Sequence, residues 1–551
     1  MLFRSAISIP IIRPFIMAIG TPELLAICLL GLMLVVSLSH KALFKGLVAA
    51  CLGLLLATIG DEPQTGELRW TFDSFYLWDG LSLVPVALGL FAVPEMIDLG
   101  ASRRSISDGS GKMSRWDQIK GMRDVFKNWW LMLRCSSIGT LLGAIPGLGA
   151  NVIDWIAYGY AARVVPGAKD SFGSGDVRGV IASESSNNAK EGGALVPTLA
   201  FGVPGSASMA ILLGAFLIHG IAPGPKMLDE QLDVTFTLVW TVAIANILGA
   251  GLCFLLAGQF ARIAMVRAGL LVPLVFGIMI IGAYQGAKDF ADLIVLFAFG
   301  VLGWVMKRLN WPRPPLILAF VLGGLMENYL FISQLRYGFE WMLKPIPLVV
   351  LAIISFLFLR PLISRLFTAR QPLGADTLPD QKIAGSSSAS TASRDELFCD
   401  AMMWIGVVAL MVYVLVSSSS WQAPAKMMPQ AIATGGLVTA SVFIIFKLLG
   451  KMPAHSVDKH EPLSAVLGQI AWLLSLVFGV WLIGMLPSIA LFIFSYMVFE
   501  GKTKPTASIL ILIPFTLGVW FLFHELLHVP WPQSVLGDQF LDLRRLSGGL
   551  I

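Results

Sequence analysis

Apolar residues along this chain do not alternate with polar ones; they run on. Long apolar runs cover residues 23–39, 46–60, 81–97, 135–160, 195–221, 234–259, 270–283, 293–306, 315–332 and 347–358. A second group covers 404–417, 429–446, 470–499 and 508–523. A helix crossing a bilayer needs roughly 20 apolar residues, whereas a spanning strand leaves an alternating pattern of about 10. Only helices and closed barrels satisfy every backbone group in lipid, and continuous runs select helices. The expected fold is all-α: a polytopic membrane protein whose transmembrane helices are in places interrupted by Pro-Gly. The run at 470–499 is uncharged but carries "GMLPS" at 484–488. It reads either as one broken helix or as a tight hairpin of two.

Composition agrees with that pattern. Of 551 residues, 56% are hydrophobic and 13% charged, against about 25% charged in soluble domains. The net charge of +5 fits basic cytoplasmic loops better than a nucleic-acid partner. Arg103, Arg104, Lys112, Arg115, Lys120, Arg123 and Lys127 outnumber Asp108, Asp117 and Asp124 in the loop at 103–127, which places that loop in the cytoplasm. Lys307, Arg308 and Arg313 mark a second cytoplasmic turn. Cys28, Cys51, Cys135, Cys253 and Cys399 form no CxxC and read as buried free thiols. Arg4 and Arg13 lack the apolar core and small-residue site of a cleaved signal peptide.

Between residues 371 and 393 the chain reads "QPLGADTLPDQKIAGSSSASTAS", too polar to bury itself. The expected organisation is a large membrane domain at 1–365, a cytoplasmic linker at 366–396 that tolerates cutting, and a small domain at 397–551 with four or five spans. Arg360, Arg365 and Arg370 put the linker on the cytoplasmic side.

Two segments of loop-like composition lie inside apolar runs: "GTLLGAIPGLGAN" at 139–151 and "ESSNNAKEGGALVPTLAFGVPGSASMA" at 184–210. A helix broken within the membrane exposes free N–H groups at the start of its second half, where the helix dipole favours an anion. Transporters use such breaks to bind substrate and coupling ion. Pro146, Gly147 and Gly149 form the first break, and Pro204 and Gly205 the second. Asn151, Asn187, Asn188, Ser206 and Ser208 offer neutral hydrogen bonds beside them. The same small residues also serve plain close packing of helices.

The second segment, extended to "FGSGDVRGVIASESSNNAKEGGALVPTLAFGVPGSASMAILLGAFLIHGIAPGP", resembles the large membrane subunit of the tripartite tricarboxylate transporter family. So do "GTLLGAIPGLGANVIDWIAYGYAAR", "SLVPVALGLFAVPEMI" and "PPLILAFVLGGLMENYLFIS". The block after the linker resembles the family's small membrane subunit. The resemblance implies uptake of a carboxylate across a bacterial inner membrane, with a periplasmic solute-binding protein as partner. It implies Na⁺ or H⁺ as coupling ion, no cofactor and no enzymatic activity. By analogy the two Pro-Gly segments line the transport site. Large subunits of the family carry a further half-repeat at the N-terminus, which the first twenty residues here do not supply. An incomplete, inactive remnant is therefore one alternative reading. Two departures are local. "SES" at 183–185 lacks the family's proline, and Lys190 and Glu191 stand where small neutral residues are usual, expected to pair with each other.

Three ionisable features remain. Glu327 ends an apolar run and is a default candidate for ion coupling; its plainer reading is a helix-end carboxylate facing water or Arg336. Asp154, after the first break, carries the same two readings. "HELLH" at 524–528 matches the zinc-protease pattern, with His524 and His528 on one helix face and Glu525 as base. Pro530 stops that helix at once, and only Asp538 or Asp542 could follow as third ligand. The expectation is no zinc.

Overall fold

The computed structural model describes residues 20–38, 43–103, 115–144, 150–204, 206–264, 266–367, 390–391, 394–448, 456–457 and 462–539. Among them the chain is helical almost throughout, broken by two short antiparallel β pairings, β1 (Gly60–Asp61) with β2 (Leu68–Arg69) and β3 (Ser390–Thr391) with β4 (Ser456–Val457). Among the described residues seven helices are long and apolar enough to span a membrane: Leu83–Ser102, Leu232–Phe260, Pro314–Leu343, Phe398–Ser420, Ala423–Lys447, Leu463–Ile483 and Pro505–Leu526. Shorter apolar helices cover Thr21–Met33, Leu43–Leu56, Ala268–Tyr284, Pro345–Leu359 and Met485–Phe499. The multi-pass, all-α reading of the apolar runs holds. The expectation of buried free thiols is met by Cys28 and Cys135 and not by the exposed Cys253 and Cys399.

The helices sort into two compact units. The first contains α1 (Thr21–Leu38), α2 (Leu43–Leu56), α4 (Arg115–Lys127), α5 (Trp129–Gly143), α6 (Ala150–Val164), α7 (Val177–Phe201), α8 (Ala207–Ile218), α12 (Pro314–Tyr337), α13 (Pro345–Phe367), α14 (Arg394–Ser417) and α15 (Ala423–Leu448). The second contains α3 (Leu83–Ser102), α10 (Ala268–Tyr284), α11 (Ala291–Arg308), α16 (Leu463–Ile483), α17 (Met485–Phe499) and α18 (Pro505–Val519). Helix α9 (Leu232–Ala264) begins in one and ends in the other. The units follow packing, not chain order, since each takes helices from both sides of residues 371–393. That stretch lies outside the described residues except for β3, while Phe367 still belongs to α13 and Arg394 already to α14.

In the first unit α5, α6 and α7 pack as a three-helix cluster. Gly139 and Gly143 sit four apart on one face of α5, where small residues let backbones meet. A Cβ at Gly139 would come within 3.0 Å of three backbone atoms of Ser186, and one at Gly143 within 2.9 Å of three of Lys190. Gly193 makes the reciprocal approach to Thr140. These glycines therefore serve close helix packing, the plainer of the two readings. The polar stretch 184–193 is not a loop: it is the middle of the 25-residue α7, held there because its Gly and Ala face α5 and α6. The basic segment expected as a loop is helical over Arg115–Lys127. Trp116, Ile119, Met122 and Phe126 are exposed along it beside Lys120, Arg123 and Lys127, the composition of a helix lying in the membrane interface.

In the second unit the apolar run at 470–499 resolves as a hairpin. Gly484, at φ +91°, separates α16 from α17. That backbone region suits glycine. The buried Tyr496 hydroxyl donates to Gln469 Oε1 across the hairpin at 2.6 Å, and Trp472 packs edge-on against Phe492 and Tyr496. Gly89, Gly300 and Gly303 bring α3 against α11, where a π-turn at Leu88–Ala92 widens α3.

Candidate functional site

The second Pro-Gly segment interrupts the helix as its sequence requires. α7 ends at Phe201, Gly202 takes φ +66°, and α8 begins at Ala207. Proline removes a donor, and glycine tolerates the left-handed turn. The chain does not continue along the α7 axis after the break. Ser206 Oγ donates to Glu191 Oε2 at 3.0 Å, and Gly224 N–H donates to Leu199 O at 2.9 Å. The connection therefore runs back along α7, so α8 starts beside the middle of that helix and ends beside its last turns. Ser206 Oγ also accepts from Met209 N–H at 3.3 Å, the geometry of an N-cap.

Around this point the chain gathers charge. Lys190 is 4% exposed. Its ammonium donates to Asn187 Oδ1, one turn earlier on α7. The Asp154 carboxylate of α6 lies 4.0 Å from it. Ser186 Oγ is 3.4 Å from Asp154 and donates to Ser183 O at 2.8 Å. Asn187 Nδ2 reaches Glu184 at 3.5 Å. Lys190 and Glu191 do not pair with each other as their adjacency suggested. Neighbours on a helix point about 100° apart, so Lys190 turns to α6 and Glu191 to the break.

The expected site residues are placed as follows. Asn187 is half-buried within the charged cluster, Ser206 is half-buried at the start of α8, and Pro204 is buried in the connection. Asn188 and Ser208 are exposed, on other faces of α7 and α8. Pro146, Gly147, Gly149 and Gly205 lie outside the described residues, and of Asn151 only its place in the first turn of α6 is described. The helices flanking the first break, α5 and α6, run antiparallel: Arg134 reaches the Tyr160 hydroxyl at 3.4 Å, and Leu131 and Cys135 share a core with Ala157 and Ala161.

Glu327 is not a helix-end carboxylate. It sits mid-way along α12, 8% exposed. Arg69 forks onto it with 2.6 and 3.0 Å bonds and also reaches Ala425 O at 3.3 Å. Arg69 lies in β2, 258 residues away, and no local pattern in the sequence announces the pair. The HELLH segment does not form the helix face that its zinc reading needs. Residues Trp520–Leu526 form a π-turn, and His528 leaves the helix at φ +51°. His524 Nδ1 accepts from Trp531 Nε1 at 3.0 Å.

Comparison with known proteins gives a consistent picture. A model of the Tripartite tricarboxylate transporter TctA family matches residues 2–318. A model of the Tripartite tricarboxylate transporter TctB family matches residues 399–532. An uncharacterized 52.8 kDa protein in the TAR-I ttuC' 3' region of Agrobacterium vitis is 31% identical over 336 residues, 59% of this chain and 64% of that one. An uncharacterized protein in the TAR-II ttuC' 3' region of the same organism is 31% identical over 192 residues, 35% of this chain and 79% of that one. The chain thus spans just under two thirds of the longer relative. No solved structure matches it significantly.

Proposed function

The chain belongs to the tripartite tricarboxylate transporter TctA family, and from that premise we propose that it is the membrane component of a carboxylate uptake system. Residues 1–365 act as the large membrane subunit and 397–551 as the small one, joined by a cytoplasmic linker at 366–396. The system sits in a bacterial inner membrane, receives its substrate from a periplasmic solute-binding protein and draws on a Na⁺ or H⁺ gradient. It uses no cofactor and performs no catalysis.

One observation carries this reading. The break between α7 and α8 sets Ser206, at the start of a helix, against Glu191, while the preceding residue on α7, Lys190, gathers Asn187 and Asp154 on its α6 side. Ionisable groups inside membrane domains are retained where they serve a pathway, and helix starts supply free N–H groups for anions. Asn187 and Ser206 are the proposed substrate contacts among the described residues, with Pro204 in the connection and Asn188 and Ser208 on exposed faces; Pro146, Gly147, Gly149, Asn151 and Gly205 are proposed from the family resemblance of their motifs alone.

The test is uptake of radiolabelled di- and tricarboxylates by cells lacking their own carriers and expressing this gene with its binding protein. Accumulation that an ionophore collapses is the expected result. Accumulation equal to that of cells without the gene would sink the proposal.

A further inference from the structure

Lys190 raises a question that carboxylate transport leaves open. A lysine ammonium is a compact, strongly hydrated charge, and burying one is tolerated only with good partners. Here the partners are oxygens: the Asn187 amide oxygen and, at 4.0 Å, the Asp154 carboxylate, with the Ser186 hydroxyl 3.4 Å from that carboxylate. A carboxylate, an amide oxygen and a hydroxyl are also the donors that hard metal cations select. The backbone of Lys190 has no freedom to move away, because Gly143 of α5 packs directly on it. The side chain is thereby aimed at α6 by the seam between α5 and α7.

We propose that the Lys190 ammonium is a tethered cation, occupying a position that would otherwise hold a free monovalent metal ion between α6 and α7. The inference rests on the transporter reading and sharpens it. The charge that neutralises Asp154 is supplied by the chain, so Na⁺ is not the ion bound at this point. Shortening the side chain leaves the same oxygens around a space without its positive charge. Na⁺ then has a carboxylate to bind and room to do so.

The experiment uses the purified full chain in detergent, with thermal unfolding followed in NaCl or in choline chloride at equal ionic strength and no carboxylate present. Neither the native chain nor Lys190→Arg shows an Na⁺ shift that Asp154→Asn removes. Lys190→Ala unfolds earlier in choline and shows a saturable upward shift of a few degrees in Na⁺, because a ligand that binds only the folded state stabilises it. Adding Asp154→Asn removes that shift. Lys190→Ser carries the same expectation if Lys190→Ala does not purify. An Na⁺ shift in the native chain that Asp154→Asn abolishes would overturn the proposal, as would Lys190→Ala or Lys190→Ser indifferent to Na⁺. If neither variant folds, the native chain decides alone. Failure of carboxylate uptake would count against the transporter reading and leave the Na⁺ result untouched, so the two can fail separately.

Discussion

The Lys45 ammonium of α2 lies 2.8 Å from the Asp400 carboxylate of α14, with only 6% and 5% of the two side chains exposed. Lys45 also donates to Leu309 O at 2.8 Å, and Trp311 Nε1 donates to Asp400 at 3.2 Å. Trp311 packs on Trp404 of α14, which stacks on Phe443 of α15 at 4.1 Å. An ion pair and an aromatic stack thus tie the first hairpin after residues 371–393 to helices that precede them. Asp400→Ala leaves an uncompensated buried ammonium and is expected to cost about 3–5 kcal/mol, whereas Lys45→Met with Asp400→Leu is expected to be near neutral. Unfolding midpoints of the two variants decide it; equal losses would refute it. For the same reason a protease cut within 371–393 should leave the two fragments co-purifying.

Arg69 and Glu327 make a different kind of pair, planar and bidentate. Lysine cannot reproduce a fork. Arg69→Lys should therefore lower stability nearly as much as Arg69→Met, by about 2 kcal/mol or more. A Lys variant indistinguishable from the native chain in thermal unfolding would show that charge alone suffices.

The seam between α5 and α7 predicts an asymmetry among glycines. Gly143→Val drives a branched side chain into the backbone of Lys190, and overpacking of this kind costs about 1–3 kcal/mol or more. Gly159→Ala on α6 meets nothing within 4 Å and should leave folded yield unchanged. Comparable yields of the two variants in membranes would contradict the packing described.

Asp176 caps α7 by accepting from Arg178 N–H at 2.9 Å, and the Arg178 guanidinium closes on the same carboxylate at 2.6 Å. The Arg178 side-chain bonds, then the Ser171 hydroxyl and the Arg178 backbone N–H, hold this carboxyl well below the usual carboxylate range. A depressed folded-state value means the contribution is full above the ordinary value of about 3.9 and is lost as pH falls below it. Amide exchange in the first turn of α7, taken relative to the intrinsic rate at each pH, should quicken on acidification below about pH 4. In Asp176→Ala it should already be fast at neutral pH, the lost cap costing about 1 kcal/mol.

Ser206→Ala should weaken transport without ending it. Ser206 is the proposed contact for the substrate carboxylate, and a hydrogen bond to a charged group is worth about 1.5–3 kcal/mol. The apparent substrate constant should rise roughly ten- to a hundred-fold. Unchanged uptake kinetics would remove Ser206 from the site.

What the sequence made legible was set by the range of the forces involved. The apolar runs report on lipid, which every spanning residue meets, so runs such as 81–97 and 429–446 return as helices Leu83–Ser102 and Ala423–Lys447. Pro204 and Gly484 act on their own backbone, and both breaks appear where expected. Stretch 184–193 misled because Gly, Asn and Ser are poor helix formers in isolation, while the close approach of α5 and α6 rewards their small size. Arg69, Lys45 and Asp400 were invisible as partners: the pairs Arg69–Glu327 and Lys45–Asp400 each join residues hundreds of positions apart, and periodicity carries no trace of such a meeting.

Backbone contact along Gly139, Gly143 and Gly193 leaves no layer of side chains between α5 and α7 to slide or repack. The two helices must move as one body, carrying Lys190 with them. Whatever swings does so at the ends of that body, and Gly202, already in a left-handed conformation, is the natural hinge. A carrier built this way would change access by tilting α8 against that body, within which the ammonium keeps its place.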